Sequence, residues 1–462
     1  MALMPTAELQ LAPPRSLWGF TGYQWLVIAA AWLGWGFDVF DGLLFNYVAR
    51  ACLPDLLHLD MTDKSSEATI TLWTGTLTSV LLVGWGFGGI IFGKICDKIG
   101  RSKALLITML LYSLATAGCA FSQNIWMLVF FRVIASLGIG GEWAAGASLV
   151  AETVPENKRV AAGMLLYSSS PFGILLATFV SDLFLHKLQL EDPHLGWRLV
   201  FLSGLVPAAV AFLIRIKVKE PPMWKPDKNC GRIGDLFSPT LLRRTIGGLA
   251  MAVIALLAWW SCFAFLPLLG QRLAIFAAGE KGQIPLEQFE AARKALVASF
   301  VSTGTNAYSL GGLLGTLLTL PIAIYLGRRW MFALYFGFSA IAVYLAFGGP
   351  FEPMQRMYMM FPVGVGVFGV FGAFTFYLPE LFPTRLRSTG AGFCYNTGRF
   401  IAAAGPFIIG ALARQPFDTP QEQLAFLLKC VSWVAVFPAL GVILVLLGVA
   451  EETKGKRLAD HG

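Results

Sequence analysis

The sequence predicts an all-α membrane protein of about twelve spanning helices, on three observations: its composition, a series of apolar stretches of membrane-crossing length, and an internal repeat. Hydrophobic residues make up 56% of the 462 and charged residues only 13%, with a mean hydropathy of +0.67. A water-soluble domain carries about 25% charged residues. Cutting the chain where charges, prolines and turn residues cluster leaves stretches near the roughly 20 residues that a helix needs to cross hydrocarbon. In the first half they are residues 23–47, 71–95, 104–121, 126–151, 160–184 and 199–214. In the second they are 246–269, 299–326, 330–347, 357–378, 388–412 and 424–449. A soluble bundle with helices apolar all round is excluded by the number of such stretches.

The repeat divides the chain. Residues 152–167, ETVPENKRVAAGMLLY, match residues 380–395, ELFPTRLRSTGAGFCY, at one constant offset that superimposes Glu152 on Glu380, Pro155 on Pro383, Arg159 on Arg387 and Tyr167 on Tyr395. Each copy follows the fourth expected helix of its half. A parallel repeat of six helices is how many secondary transporters build two bundles that rock against each other. The expected organisation is therefore a first six-helix bundle at 1–214, a linker rich in Lys, Pro and Asp at 215–245, a second bundle at 246–450 and a tail at 451–462.

Before residue 23 no basic start leads into an apolar core, so the first helix is expected to be retained and not cleaved as a signal. Lys and Arg fall about 22 on the side of the two termini and about 11 on the other, which puts both termini in the cytoplasm of a multi-pass inner-membrane protein. The formal charge of +8 is spread over short loops, so no nucleic-acid partner is expected; the bilayer is the partner surface, and a monomer is expected. Seven cysteines form no CxxC pair, and His58, His186, His194 and His461 lie in loops or the tail. No metal, cofactor or disulfide framework is indicated, and any proton carrier within the membrane must be a carboxylate.

After the second helix the chain reads Gly93, Lys94, Ile95, Cys96, Asp97, Lys98, Ile99, Gly100, Arg101. This resembles the loop signature of the major facilitator superfamily. The resemblance implies two pseudo-symmetric six-helix bundles, with Asp97 latching them by facing the N-terminus of a helix in the other half. The second-half counterpart keeps Gly327 and Arg328 but has Ile324 in place of the acid, so one latch is expected. The family also implies cytoplasmic clusters beneath each bundle: Arg101, Glu152 and Arg159 beneath the first, Arg328, Glu380 and Arg387 beneath the second. These are gating pairs, made in one conformation and broken in the other.

Charges inside spanning helices are costly and mark function. Asp38 and Asp41 lie three residues apart on one face of the first helix, Arg132 and Glu142 in the fourth, and Arg399 in the eleventh. An ion pair of Asp41 with Arg132 would keep Asp41 ionised. That leaves Glu142, without a cation within one turn, as the preferred proton carrier, with Asp38 sharing the coupling or binding substrate. The run Gly138–Trp143, the acid pair of the first helix and the loop YLPELFPTRLRSTGAG resemble the organic-acid and phosphate proton symporters of the superfamily, the sialate and lactate group first and the aromatic-acid group next. Arg399 offers a bidentate fork to a substrate carboxylate. Arg132, Tyr167, Tyr395, Asn396 and Trp259 are the other candidate substrate contacts, with Trp35, Asn46, Trp260 and Tyr377 around them. The implied function is proton-coupled symport of a small organic anion. The alternatives are a sugar facilitator or symporter, a phosphate symporter and a transporter-like nutrient sensor. An enzyme is not expected, because no nucleophile or metal constellation appears within the spans. The segment 271–298 contains an amphipathic stretch, expected to form a short external helix at the bilayer surface.

Overall fold

The computed structural model describes the chain outside residues 1–18, 61–63, 188–192, 206–208, 210–211, 214–215, 222–223, 225–231, 281–285, 405–419 and 456–462. It is an all-α membrane protein. The first half contains α1 (Gly22–Leu57), α2 (Lys64–Ile99), α3 (Arg101–Cys119), α4 (Ile125–Thr153), α5 (Arg159–Tyr167), α6 (Ser169–Asp182) and α7 (Pro193–Ser203). The second contains α8 (Leu242–Glu280), α9 (Leu286–Tyr325), α10 (Arg328–Gly348), the span Pro353–Leu381, here α11, then α12 (Arg387–Ala402), α13 (Pro420–Ser432) and α14 (Val436–Leu446). Among the described residues, ten helices are long and apolar enough to cross a membrane. The two further expected spans, 199–214 and 388–412, begin in α7 and α12 and lie partly outside the described residues.

Local chemistry sets the ends. A capping box starts α1, in which Thr21 Oγ1 accepts from Gln24 N–H (3.2 Å) and Gln24 Oε1 from Thr21 N–H (3.0 Å). Asn124 Oδ1 caps α4 by accepting from Met127 N–H at 3.0 Å. Both α3 and α10 begin after a glycine at positive φ, Gly100 at 111° and Gly327 at 88°. Each glycine is required twice over, by its backbone angle and because a Cβ there would lie 2.4 Å from a Glu220 carboxylate oxygen or 2.5 Å from one of Glu452.

Those two glutamates were not singled out in the sequence. Glu220 accepts from the N–H groups of Arg101 (2.6 Å), Ser102 (3.2 Å) and Lys103 (3.1 Å) at the start of α3. Glu452 accepts from Arg328 (3.0 Å) and Arg329 (3.1 Å) at the start of α10, and from Lys454 (2.8 Å). Partial burial pushes the Glu452 carboxyl up, but these N–H groups and the Arg328 charge hold it below the usual carboxylate range. Its stabilisation is therefore complete at neutral pH and is lost as the pH falls through that lowered value.

Helix packing is close enough to exclude side chains. A Cβ on Gly88 of α2 would lie 2.1 Å from the Leu137 carbonyl oxygen of α4, and one on Gly140 of α4 would lie 2.1 Å from that of Trp85. The same construction recurs between α9 and α11, where Gly315 meets the Val365 oxygen (2.2 Å) and Gly364 that of Tyr308 (2.1 Å).

The expected external helix between the seventh and eighth spans is corrected in form: α8 continues to Glu280 and the amphipathic stretch is the first part of α9. No glycine or proline interrupts residues 286–300, so the helix has no reason to break there. Its apolar side chains Leu286 and Phe289 lie outside the described side chains.

Gly88→Val should destabilise the protein by about 1–3 kcal/mol or more, because the carbonyl it meets belongs to a packed helix. Gly22→Ala, which meets nothing within 4 Å, should melt within a degree or two of wild type. Thermal unfolding in detergent checks the pair, and equal melting temperatures would refute the packing argument.

Candidate functional site

One polar cluster closes the side of the molecule where residues 19–24 and 451–455 lie. Asp97, at the end of α2, reaches the first turn of α12 in the other half. Its Oδ1 accepts from Ser388 N–H (3.2 Å), and its Oδ2 from Thr389 N–H (2.8 Å) and Thr389 Oγ1 (2.7 Å). A buried carboxylate thus meets orphan N–H groups and the positive end of a helix dipole. Gly93, one turn earlier, lets the backbones touch, since a Cβ there would be 2.8 Å from the Ser388 oxygen. Ile324, at the equivalent position of α9, is exposed on the apolar surface.

Arg101 pairs with Asp97 (3.1 Å) and forks onto Glu152 with Nε at 3.0 Å and Nη2 at 2.9 Å. Glu152 also accepts from Arg387 Nη1 at 2.7 Å. Two acids and two arginines are thereby buried together, fully withdrawn from solvent. In the second half Glu380 accepts from Arg328 Nε (3.2 Å) and Nη2 (2.9 Å), from Thr453 Oγ1 (2.5 Å) and from Arg159 Nη1 (3.5 Å). The expected composition of the clusters is corrected here. Arg159 and Arg387 are exchanged, each serving the glutamate of the opposite half. The reason is that each sits at the start of a helix, α5 or α12, that packs across the midline.

Deeper in the molecule lies a cavity lined by Trp35, Asn46, Thr78, Trp85, Tyr167, Ser170, Trp259, Trp260, Phe371, Tyr395 and Arg399 together with aliphatic side chains. It leaves about 40 Å³ for the centre of a water-sized sphere, room for a few waters. Tyr395 stacks on Trp143 (centroids 3.9 Å apart, 12° between planes) and Tyr167 on Phe371 (6.0 Å, 15°). The Arg399 guanidinium lies over the Trp85 ring at 4.0 Å and the Tyr395 ring at 4.8 Å. Its Nη1 donates to Asn396 Oδ1, and Asn396 Nδ2 donates to the Gly392 carbonyl (2.9 Å). Among the described residues, four buried donors, Arg399 Nε and the indole N–H groups of Trp35, Trp85 and Trp259, have no acceptor, and no acid lines the cavity.

Of the residues expected to touch substrate, Arg399, Tyr167, Tyr395 and Trp259 line the cavity, while Asn396 stands behind Arg399 and orients it. Arg132 is elsewhere. It donates to the backbone carbonyls of Asp41 (3.4 Å) and Gly42 (3.2 Å) and lies 5.4 Å over the Phe45 ring. The expected Arg132 to Asp41 ion pair is therefore replaced by a guanidinium-to-backbone contact. The Asp41 carboxyl is turned toward Gly204, where a Cβ would lie 2.6 Å from its Oδ1, and Thr116. Asp38 is fully buried. Glu142 lies on the face of α4 that meets α3 and accepts from Thr108 Oγ1 at 3.3 Å; it does not line the cavity. Trp85 was missed, since its one signal, an indole within the glycine-rich run of α2, is shared by other tryptophans of the chain.

This architecture is an all-α, multi-span membrane fold that resembles the major facilitator fold. A family model described as sugar (and other) transporter matches residues 27–229. The chain is 28% identical to a cis,cis-muconate transport protein of Acinetobacter baylyi over 78% of its length and 84% of that protein. It is 25% identical to the niacin transporter NiaP of the same organism, over 95% and 97%. Its fold superposes on the proton:xylose symporter XylE bound to 6-bromo-6-deoxy-D-glucose with a TM-score of 0.69 at 17% identity, over 94% of this chain and 98% of that one.

Asp97→Asn keeps the shape of the latch but removes its charge and turns one acceptor oxygen into a donor facing other donors. Charge-assisted bonds contribute about 1.5–3 kcal/mol each, so the closed gate should lose roughly one to two orders of magnitude in population. Cysteines placed along the cavity should become labelled from the gate side, and an unchanged labelling pattern would remove the latch role.

Proposed function

We propose that the chain is a proton-coupled symporter of a small planar organic anion, an aromatic or conjugated monocarboxylate, working by alternating access of two six-helix bundles in the inner membrane with both termini cytoplasmic. The observation that carries this reading is the cavity itself, with aromatic walls, one guanidinium and, among the described residues, no acid. A carboxylate would pair with the Arg399 guanidinium in its wall, and a flat π-system fits between indole and phenol faces. The niacin carrier among the relatives is named for an aromatic monocarboxylate, and the muconate carrier for a conjugated acid with two carboxylates. A sugar would need amides and hydroxyls on every side, whereas the lining offers Asn46, Thr78 and Ser170 on one flank. Phosphate would meet mostly carbon.

The coupling group that the geometry favours is Asp41 with Arg132. Arg132 is held by backbone carbonyls and makes no ion pair with Asp41 among the described residues; an ionised Asp41 would be answered by the neighbouring guanidinium turning onto it. Glu142, occupied by Thr108 and remote from the cavity, is less suited to exchange a proton with solvent.

Proteoliposomes with an imposed pH gradient and labelled benzoate-type, muconate-type, sialate and sugar substrates test the assignment. Gradient-driven accumulation of the planar acids is expected, and accumulation of sugar alone would reject it. Arg399→Lys should raise the substrate KM about tenfold or more, because an ammonium cannot replace the fork. Asp41→Asn should retain exchange but lose accumulation, while Glu142→Gln keeps both. The opposite pattern would return the carrier role to Glu142.

A further inference from the structure

At the end of α14 the chain turns at Gly448, and two guanidinium groups close over the turn. Arg329, in the first turn of α10, donates Nε to the Val445 carbonyl (3.0 Å) and Nη2 to that of Leu446 (2.7 Å). Arg243, at the start of α8, donates Nη2 to the Gly448 carbonyl (3.1 Å). The two Nη2 atoms converge on one spot, 3.8 Å and 3.7 Å from where a Cβ on Gly448 would sit. Arg243 is exposed and Arg329 half-buried. Among the described residues neither makes an ion pair. The nearby acids are turned elsewhere, Glu451 to Arg244 (3.0 Å) and Glu452 to backbone N–H groups of Arg328, Arg329 and Lys454. Lys454, whose Nζ donates to the Tyr325 carbonyl (3.2 Å), adds a third cation beside α10.

Two like charges brought together without an acid repel each other unless an anion lies between them. The repeat shows that the turn itself does not require them. Ser102 occupies in α3 the place that Arg329 has in α10, one residue after the matched arginine, and it holds its own turn with a hydroxyl bond to the Lys219 carbonyl (3.1 Å). Directly toward the bilayer the surface becomes apolar: Ile246, Trp330, Ile443 and Leu447 are all about half exposed or more. An indole at that level is characteristic of the headgroup boundary.

We propose that this surface binds an anionic phospholipid, with Arg243 and Arg329 holding the phosphodiester and an acyl chain lying along Ile246 and Ile443. The planar forks of two arginines suit a phosphate, and the apolar track suits a chain anchored below it. The site caps the end of α14 and the start of α10, the helix that carries Arg328 of the gate, so an anionic lipid would stiffen the closed cluster from the membrane side.

Titration of the purified full chain in neutral detergent with phosphatidylglycerol, read by native mass spectrometry, tests this without any transport measurement, so its failure is separable from that of the substrate assignment. One phosphatidylglycerol should be retained about tenfold more tightly than phosphatidylcholine of the same chains. Inorganic phosphate at the same concentration should not displace it. Arg243→Gln with Arg329→Gln should abolish the preference, and the double lysine variant should fall between. Equal retention by wild type and the double glutamine variant overturns the proposal, as does displacement by inorganic phosphate. If the double variant fails to fold, Arg243→Gln alone decides, because that exposed side chain holds one carbonyl: a loss of preference of about threefold or more sustains the site, and no change overturns it.

Discussion

The contact that ties the two halves together at this polar cluster is the Asp97 carboxylate on the first turn of α12. It is a small contact, two backbone N–H groups and one hydroxyl, but it fixes the position of a charge that the other buried charges need. Arg101 is balanced by Asp97 and Glu152 together, and Glu152 by Arg101 and Arg387 together. Removing any one member leaves a charge stranded in a dry environment, at about 3–5 kcal/mol. Such a set is held as a whole or opened as a whole, which is what a gate between two states requires and what a scatter of independent surface pairs does not supply.

The exchange of arginines between the halves gives the gate its breadth. Arg387 on Glu152 and Arg159 on Glu380 are related by the sequence repeat, so the same kind of bond is made twice between the halves. The two copies are not equal. Arg387 sits at 2.7 Å from its glutamate in a fully buried cluster, and Arg159 at 3.5 Å in a slightly exposed one. The second half has no acid at Ile324, and the only helix N-terminus latched by a carboxylate across the halves, among the described residues, is that of α12. The first cluster is therefore the tighter and more deeply buried link between the halves, and the second is supplemented by Glu452 and Thr453.

What could be read in the sequence follows from what is local. The apolar spans, the glycine-flanked turn before Arg101 and the repeated glutamates are written in contiguous residues, and the all-α membrane architecture is read from them; that Asp97 meets a helix start of the other half was implied only by the resemblance to the superfamily signature. Pairing across the midline is not local. Arg159 lies seven positions from Glu152 in the chain, and its partner, Glu380, is set by how α5 packs on α11. Depth along a helix is legible, but azimuth is harder to read when the helix is apolar on every side. Glu142 could therefore be placed within α4 but not on the face that meets Thr108. Glu220 and Glu452 look like solvated loop acids until the helix starts they cap are brought to them. Trp85 is hidden among similar residues until Arg399 lies on its ring.

The charges of the cavity and of the coupling pair bear on energetics across the membrane. If one proton moved with each monocarboxylate, the empty carrier would reorient with Asp38, Asp41, Arg132 and Arg399, whose formal charges sum to zero. The loaded carrier adds a carboxylate beside Arg399 and a proton on Asp41, which again sum to zero. Each uncompensated charge carried through the membrane potential would be worth about 2.3 kcal/mol per 100 mV. That is comparable with the loss of one charge-assisted bond in the gate and would bias the resting conformation. Substrate without proton would leave a net negative site, and proton without substrate a net positive one, with Arg132 unanswered. Both half-loaded states are thus disfavoured by the same buried charges, and it is this penalty, not a direct contact between Asp41 and substrate, that would tie the two movements together.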